Sequence, residues 1–322
     1  MQRRDFGRML MALAAGPTWA MDRAPARGPM KILVPFGAGG VADLTARVMA
    51  QQLSRSLGQS VVIDNRPGAG GVVATDTVAK SQPDGNTLLL MSNATAISAA
   101  LFKSLPFDIF KDLEPVALIG SFDLAVLVSK QSPIASFEEF VSRARRQPGA
   151  LNIGTINKGS TQHLSAELLL SVLGVKAEVV PFNGTPALLN ALRGGQVDLG
   201  VEVLAPTLSQ VRAGTLRALA TLGAKRAVTL PDVPTVAQSD AHARSFDVSS
   251  WNALAAPAGT PAAAVARLNR HVNDALHAQH VRDQLLHLGV DARGGTPGQL
   301  SQLLASETQR WKAVVQRTGL AQ

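Results

Sequence analysis

Three stretches of this sequence place glycines where a strand hands over to a helix. They are Gly37-Ala38-Gly39-Gly40 after Pro35-Phe36, Gly68-Ala69-Gly70-Gly71 after Asn65-Arg66-Pro67, and the run from Gly154 to Thr161. A glycine turn at a helix start leaves backbone N–H groups unpaired, and these groups together with the helix dipole favour an anion. Glycine also lets a ligand approach the backbone and permits positive φ. A plain tight turn accounts for any one of these loops alone. All three together point to an anion site at the carboxyl ends of a parallel sheet.

Two sharper chemistries compete for the same residues. Gly37-x-Gly39-x-x-Ala42 matches the dinucleotide fingerprint, and Asp64 ends the next strand where an acid would take a ribose. This supports an alternative reading as an NAD(P)-dependent oxidoreductase using Gly37, Gly39, Ala42 and Asp64. Against it, Pro35-Phe36 precedes the first glycine, and a second glycine loop crowds the space after Asp64. Gly154-x-x-x-x-Gly159-Ser160-Thr161 resembles a phosphate loop, but Ser160 stands where such a loop needs lysine, so nucleotide hydrolysis is not expected. No Gly-x-Ser-x-Gly, Ser-x-x-Lys or His-Glu-x-x-His motif occurs. His163 lies near the third loop, either as a base or as a helix-start residue that orients the loop. Asp198 and Glu202 could anchor a water or cation, or cap local backbone. A catalytic carboxylate pair would need a nucleophile or substrate pose that the sequence does not supply. The expectation is a binding protein that is not an enzyme, with no cofactor and no metal.

The elements that must position these loops alternate strand and helix. Strands are expected at 31–34, 61–63 and 87–91, with helices at 41–57, stopped by Gly58, and 72–80. The alternation resumes after two strand-like runs at 116–119 and 124–128. Helices at 137–146, 161–173 and 186–193 follow, with strands at 151–153, 179–180, 197–201, 216–222 and 251–256. Amphipathic helices close the chain at 262–288, broken near Ala278-Gln279, and at 297–318. Such alternation argues for an α/β fold with a parallel sheet covered on both faces. Val34-Pro35-Phe36-Gly37 is echoed by Val180-Pro181-Phe182-Asn183-Gly184. Two half-sites facing each other across a cleft would produce that echo, and so would coincidence of common turn residues.

Composition narrows the class. The chain has 322 residues, 46% hydrophobic and 17% charged, which suits two packed domains of ordinary size. It contains no cysteine, which removes disulfides and thiolate chemistry. The formal charge is +8, but the basic residues are scattered rather than gathered in a stripe, so no nucleic acid is expected as partner. Arg3-Arg4-Asp5-Phe6, the apolar run Met9–Ala15 and the small residues after it have the layout of a signal peptide, by the general or the twin-arginine route. Residues 1–27 are read as this leader, cleaved near Ala20 or Ala26, and the mature chain is expected in the periplasm.

Ile32-Leu-Val-Pro-Phe-Gly-Ala-Gly-Gly-Val-Ala-Asp43, Asn65-Arg-Pro-Gly-Ala-Gly-Gly71 and Ala79-Lys-Ser-Gln-Pro-Asp-Gly85 resemble the tripartite tricarboxylate transporter substrate-binding family, the Bug receptors. The resemblance continues through Gly159-Ser-Thr-Gln-His163, Gly194-Gly-Gln-Val-Asp198, Leu230-Pro-Asp-Val-Pro-Thr235 and Ala256-Pro-Ala-Gly-Thr-Pro261, covering essentially the whole mature chain. It implies a type II periplasmic binding protein fold: two α/β lobes with mixed or parallel sheets, joined by two crossover strands. Lobe 1 would be residues 28–125 plus 250–322, and lobe 2 residues 126–249. It also implies a small organic acid as ligand, held by Phe36, Gly37, Ala38, Gly39, Gly40 and Asp43 with Gly70 and Gly71. Ser92, Asn93, Thr155, Ser160, Thr161, His163, Asn183, Gly184 and Asp198 would also line the cleft. Integral-membrane transporter subunits or a sensor kinase would be the partners of a monomer. Six positions depart from the family pattern: Asn157 for glycine, Phe182-Asn183 for Tyr-Lys, Glu202 for aspartate, and Val73-Ala74 for Ile-Gly. The first loop is intact, so the departures fall mainly on the distal end of the ligand.

Overall fold

The computed structural model describes residues 28–319; the leader and its cleavage positions lie outside the described residues. The chain begins β1 (Met30–Val34), α1 (Val41–Leu57), β2 (Val61–Asn65), α2 (Val72–Ala79), β3 (Thr87–Ser92), α3 (Asn93–Leu101) and β4 (Leu113–Ser129). It continues α4 (Phe137–Arg146), β5 (Asn152–Ile156), α5 (Thr161–Leu173), β6 (Glu178–Phe182), α6 (Thr185–Arg193), β7 (Leu199–Val203), α7 (Leu208–Arg212), β8 (Leu216–Thr221) and α8 (Val236–Ser239). It closes with β9 (Ser249–Pro257), α9 (Ala262–His277), α10 (Gln279–His287), β10 (Asp291–Ala292) and α11 (Pro297–Thr318).

The main path of strands runs β2-β1-β3-β9-β4-β7-β5-β6, with β8 and β10 also pairing β4. β1 is parallel to β2 and β3, β5 is parallel to β6 and β7, and β4 and β9 run antiparallel to their neighbours. The sheet is therefore mixed, with a parallel half on each side of β4. Alternation along β1 and β3 buries both faces: Ile32, Val34, Leu88 and Leu90 enter one core cluster, and Leu33, Leu89 and Met91 the other. That two-sided burial is what helices on both faces of a parallel sheet require.

β4 joins the halves. Its first part, to Asp123, pairs β9, and Leu124–Leu127 pairs β7. The chain returns through a segment ending at Val248, whose N–H donates to the Leu222 carbonyl at 2.8 Å before β9 begins. The two strand-like runs expected at 116–119 and 124–128 are thus one 17-residue strand. The intervening Gly120-Ser121-Phe122-Asp123 reads as a break, but Gly120 serves a packing need. A Cβ there would lie 2.5 Å from the Asp291 carbonyl oxygen, so glycine lets β10 close on β4. Helix α11 spans the two halves on one side, touching α3, β4 and α5, with Trp311 fully buried and its indole N–H donating to Glu307 Oε2 at 3.1 Å.

Candidate functional site

Each parallel strand delivers its carboxyl end to one cleft between the halves, about 1380 Å³ in volume. The loops after β1 and β2 and the junction of β3 with α3 line it from one half, and the loops after β5, β6 and β7 from the other. The echo in the sequence is realised here, because the loops after Val34 and after Phe182 both reach this cleft. Ser250 and Asn252 of β9 and Phe122 of β4 add to the wall.

Three helices present uncapped amino termini at the wall. α1 begins at Gly40, α2 at Gly71 and α6 at Gly184, and none has a side-chain cap. Their free N–H groups and aligned dipoles make the cleft favourable for anions from both sides. By contrast Ser160 caps α5, its Oγ accepting from the His163 N–H at 3.1 Å, and Ser92 caps α3 by accepting from the Ala94 N–H at 3.2 Å.

The first loop is held from behind. Gly39 adopts φ 84°, a conformation natural to glycine. Its N–H donates to Asp43 Oδ2 at 2.8 Å. Arg47 Nε donates to the same oxygen at 2.9 Å, and Asn65 Nδ2 donates to Asp43 Oδ1 and to the Phe36 carbonyl, both at 3.0 Å. Burial would raise the Asp43 carboxyl, but the bonds from Arg47, Gly39 and Asn65 outweigh it and hold the group below the usual carboxylate range. Asp43 is therefore a charged brace that shapes the loop.

Of the positions expected to bind ligand, Phe36, Gly37, Ala38, Gly39, Gly40, Gly70, Gly71, Ser92, Ser160, Thr161, Asn183 and Gly184 are brought together on the wall. Asp43, Asn93, Thr155, His163 and Asp198 are not among the wall residues. Asn93 is buried and donates to the Ser249 carbonyl at 2.9 Å, and Thr155 is buried in β5. His163 is buried one turn into α5, where burial, reinforced by Lys158, pushes its imidazole below its ordinary value. Asp198 accepts from the Asn152 N–H at 2.8 Å, at the amino ends of β5 and β7 and away from the cleft. Asp64 is ion-paired with Arg66 at 3.0 Å on the edge strand β2 and is also off the wall, so the acid of the dinucleotide fingerprint does not meet its glycines there.

The wall holds residues that spacing did not single out: Lys158, Gln162, Arg193, Asn252 and His287, with Glu202, which the sequence marks as a possible water or cation anchor and as a departure from the family pattern. Glu202 is buried, with Oε1 accepting from Gln162 Nε2 at 2.7 Å and from the Val203 N–H at 2.6 Å. Burial pushes its carboxyl up, and bonds from Gln162 and Val203 and the nearby Thr185 hydroxyl only partly offset this. Among the described residues, no group of three or more potential metal ligands occurs.

Asn252 is buried at the cleft, and neither its Nδ2 nor its Oδ1 has a partner. A buried amide left unpaired costs about 1–3 kcal/mol, which a bound ligand or ordered water would recover. Asn252→Leu should therefore raise the unfolding free energy by about 1 kcal/mol, because it removes that cost at similar volume. It should also weaken ligand binding. Denaturant unfolding and calorimetry on the same variant check both halves of the expectation.

Known proteins share this architecture. The family model for the tripartite tricarboxylate transporter family receptor matches residues 45–320. Protein BugT of Bordetella pertussis is 37% identical over 300 residues, covering 92% of this chain and 91% of its own. MatC (Rpa3494) from Rhodopseudomonas palustris with bound malate is 35% identical, with a TM-score of 0.80 over 89% of this chain and 98% of its own. Rpa4515 of R. palustris with adipate is 32% identical, with a TM-score of 0.84 over 94% of this chain and 99% of its own.

Proposed function

The chain belongs to the tripartite tricarboxylate transporter receptor family, and from that premise we propose that it captures a small carboxylate-bearing acid in the cleft between its two lobes. The single observation that carries this reading is the convergence of the uncapped starts of α1, α2 and α6 on one cleft. Backbone N–H groups of Gly37 to Gly40 take one carboxylate. Charge-assisted bonds of this kind are about twice as strong as neutral ones. The facing loop residues Ser160, Thr161, Asn183 and Gly184 complete the grip, with Ser92, Gly70 and Gly71 at the side. The malate and adipate carried by MatC and Rpa4515 support this choice of ligand class.

Capture proceeds by closure. Residues 28–125 with the described residues from 250 onward form one rotating unit and 126–249 the other, with the hinge where β4 exchanges β9 for β7. Ligand bound to both units favours the closed state, which a membrane partner then reads. That partner is a pair of transporter subunits, with a sensor kinase as the second reading. The protein works in the periplasm as a monomer and performs no covalent chemistry. No helix among the described residues is long and apolar enough to cross a membrane.

Titration calorimetry with mono-, di- and tricarboxylates tests the reading. At least one acid should bind with a favourable enthalpy. If no acid binds while NAD or NADP does, the reading is wrong.

A further inference from the structure

We propose that Glu202 reads the distal end of the ligand: as a neutral acid it donates a hydrogen bond from Oε2 to a ligand oxygen, selecting acids with a second carboxylate or another acceptor there. This rests on the reading above, in which the glycine loop of the opposite lobe takes the first carboxylate. Four observations carry it.

Glu202 lies at the carboxyl end of β7, on the cleft wall, between the amino termini of α5 and α6. Its residue is 1% exposed, so its polar atoms need partners from the protein or the ligand. Both of its geometrically good hydrogen bonds fall on Oε1, from Gln162 and Val203. Oε2 is buried and makes no hydrogen bond of good geometry; the Thr185 hydroxyl lies near the carboxyl without completing one. An acid whose Oε1 accepts twice has one oxygen left to carry a proton, and that O–H is a donor in search of an acceptor.

The surroundings favour the neutral form. Ala125 of β4 lies opposite Glu202 in the sheet, α5 contributes Gln162, and α6 contributes Thr185. Glu202 has no ion pair among the described residues. The other titratable or charged groups of the wall are Lys158, Arg193 and His287, and the nearby His163 of α5 is itself disfavoured as a cation by burial. A buried charge without a partner cation is costly, and a second negative charge in a cleft built for anions would repel the ligand. Protonation removes both costs and turns the carboxyl into a donor.

The test uses the full chain with adipate and malate as probes, by calorimetry from pH 5 to pH 9. The form that binds is protonated, so affinity should fall as pH rises, approaching about tenfold per unit above the Glu202 pKa of the free protein. Glu202→Gln presents an amide donor at every pH. It should flatten that dependence and bind more tightly than the wild type at the alkaline end. Glu202→Ala should lose about tenfold in affinity at pH 5, the value of one charge-assisted hydrogen bond. His287→Gln, which removes the one histidine among the described residues of the wall, should keep the wild-type slope. The proposal is overturned if a wild-type slope survives in Glu202→Gln, or if Glu202→Ala binds as tightly as the wild type at pH 5. It is also overturned if Glu202→Gln binds more weakly at every pH, the mark of an ionised carboxylate accepting from a ligand ammonium. Failure of every acid at every pH is a distinct result, which overturns the carboxylate reading itself.

Discussion

Replacing Gly40 with leucine should weaken carboxylate binding by at least about 100-fold while leaving the fold nearly unchanged. Gly40 has φ −81° and ψ 168°, ordinary extended backbone that leucine adopts without strain. A Cβ there would meet no atom within 4 Å, so the new side chain has room in the apo protein. That room is the cleft itself, at the uncapped start of α1. The leucine would occupy the position assigned to the ligand carboxylate and exclude it from the backbone donors. Two charge-assisted bonds lost at about 1.5–3 kcal/mol each amount to a factor of about 100 or more. The unfolding free energy should move by no more than about 0.5 kcal/mol, as for substitutions that touch no packed neighbour. The same change at Gly39 would confuse the result, because φ 84° there strains any other residue. Calorimetry together with thermal unfolding separates the two effects.

Asp43→Ala should act in the complementary way, lowering stability and affinity together. The substitution removes the acceptor for the Gly39 N–H, for Arg47 and for Asn65. Arg47 is half exposed and finds water, so its loss contributes little. The Gly39 N–H and the Asn65 amide lose a buried acceptor, and the expected loss is about 2–3 kcal/mol. With the brace gone, the loop from Phe36 to Gly40 samples other conformations, and acid affinity should fall by more than about tenfold. The pH dependence has a defined sign. The folded carboxyl titrates below its unfolded value near about 3.9, so Asp43 contributes its full stability above that value. The contribution disappears as pH falls through the lower folded value. The wild type should therefore lose more stability than Asp43→Ala between about pH 4 and pH 2, measured by denaturant unfolding.

Much of the frame is legible because its signals are local. The helix expected at 41–57 has those bounds, with Gly58 in the left-handed conformation at its end, and the helices at 161–173 and 297–318 agree as well. Periodicity and terminal glycines suffice there. β4 was less legible, because Gly120 looks like a turn until β10, some 170 residues later, is seen to need the space. Helix α3 follows Ser92 without a loop and carries a weak apolar pattern, so the sequence offers no separate signal for it. At the site, the glycine loops were legible because backbone chemistry depends on residue type. The strand-borne side chains were not. Whether a residue such as Asp198 or Glu202 faces the cleft depends on which end of β7 it occupies, and here four residues separate the two ends. Asn252 lies in an apolar strand, and its vacant hydrogen-bonding capacity appears only once its neighbours are placed.

The most direct test of carboxylate capture by the first glycine loop is a crystal structure of the protein with the tightest-binding acid from the calorimetric panel. The lobes should be closed, with one ligand carboxylate within about 2.7–3.1 Å of backbone nitrogens between Gly37 and Gly40. The far end of the ligand should face the loops after β5, β6 and β7. An acid bound elsewhere, or bound in the cleft with no carboxylate oxygen near those nitrogens, would contradict it.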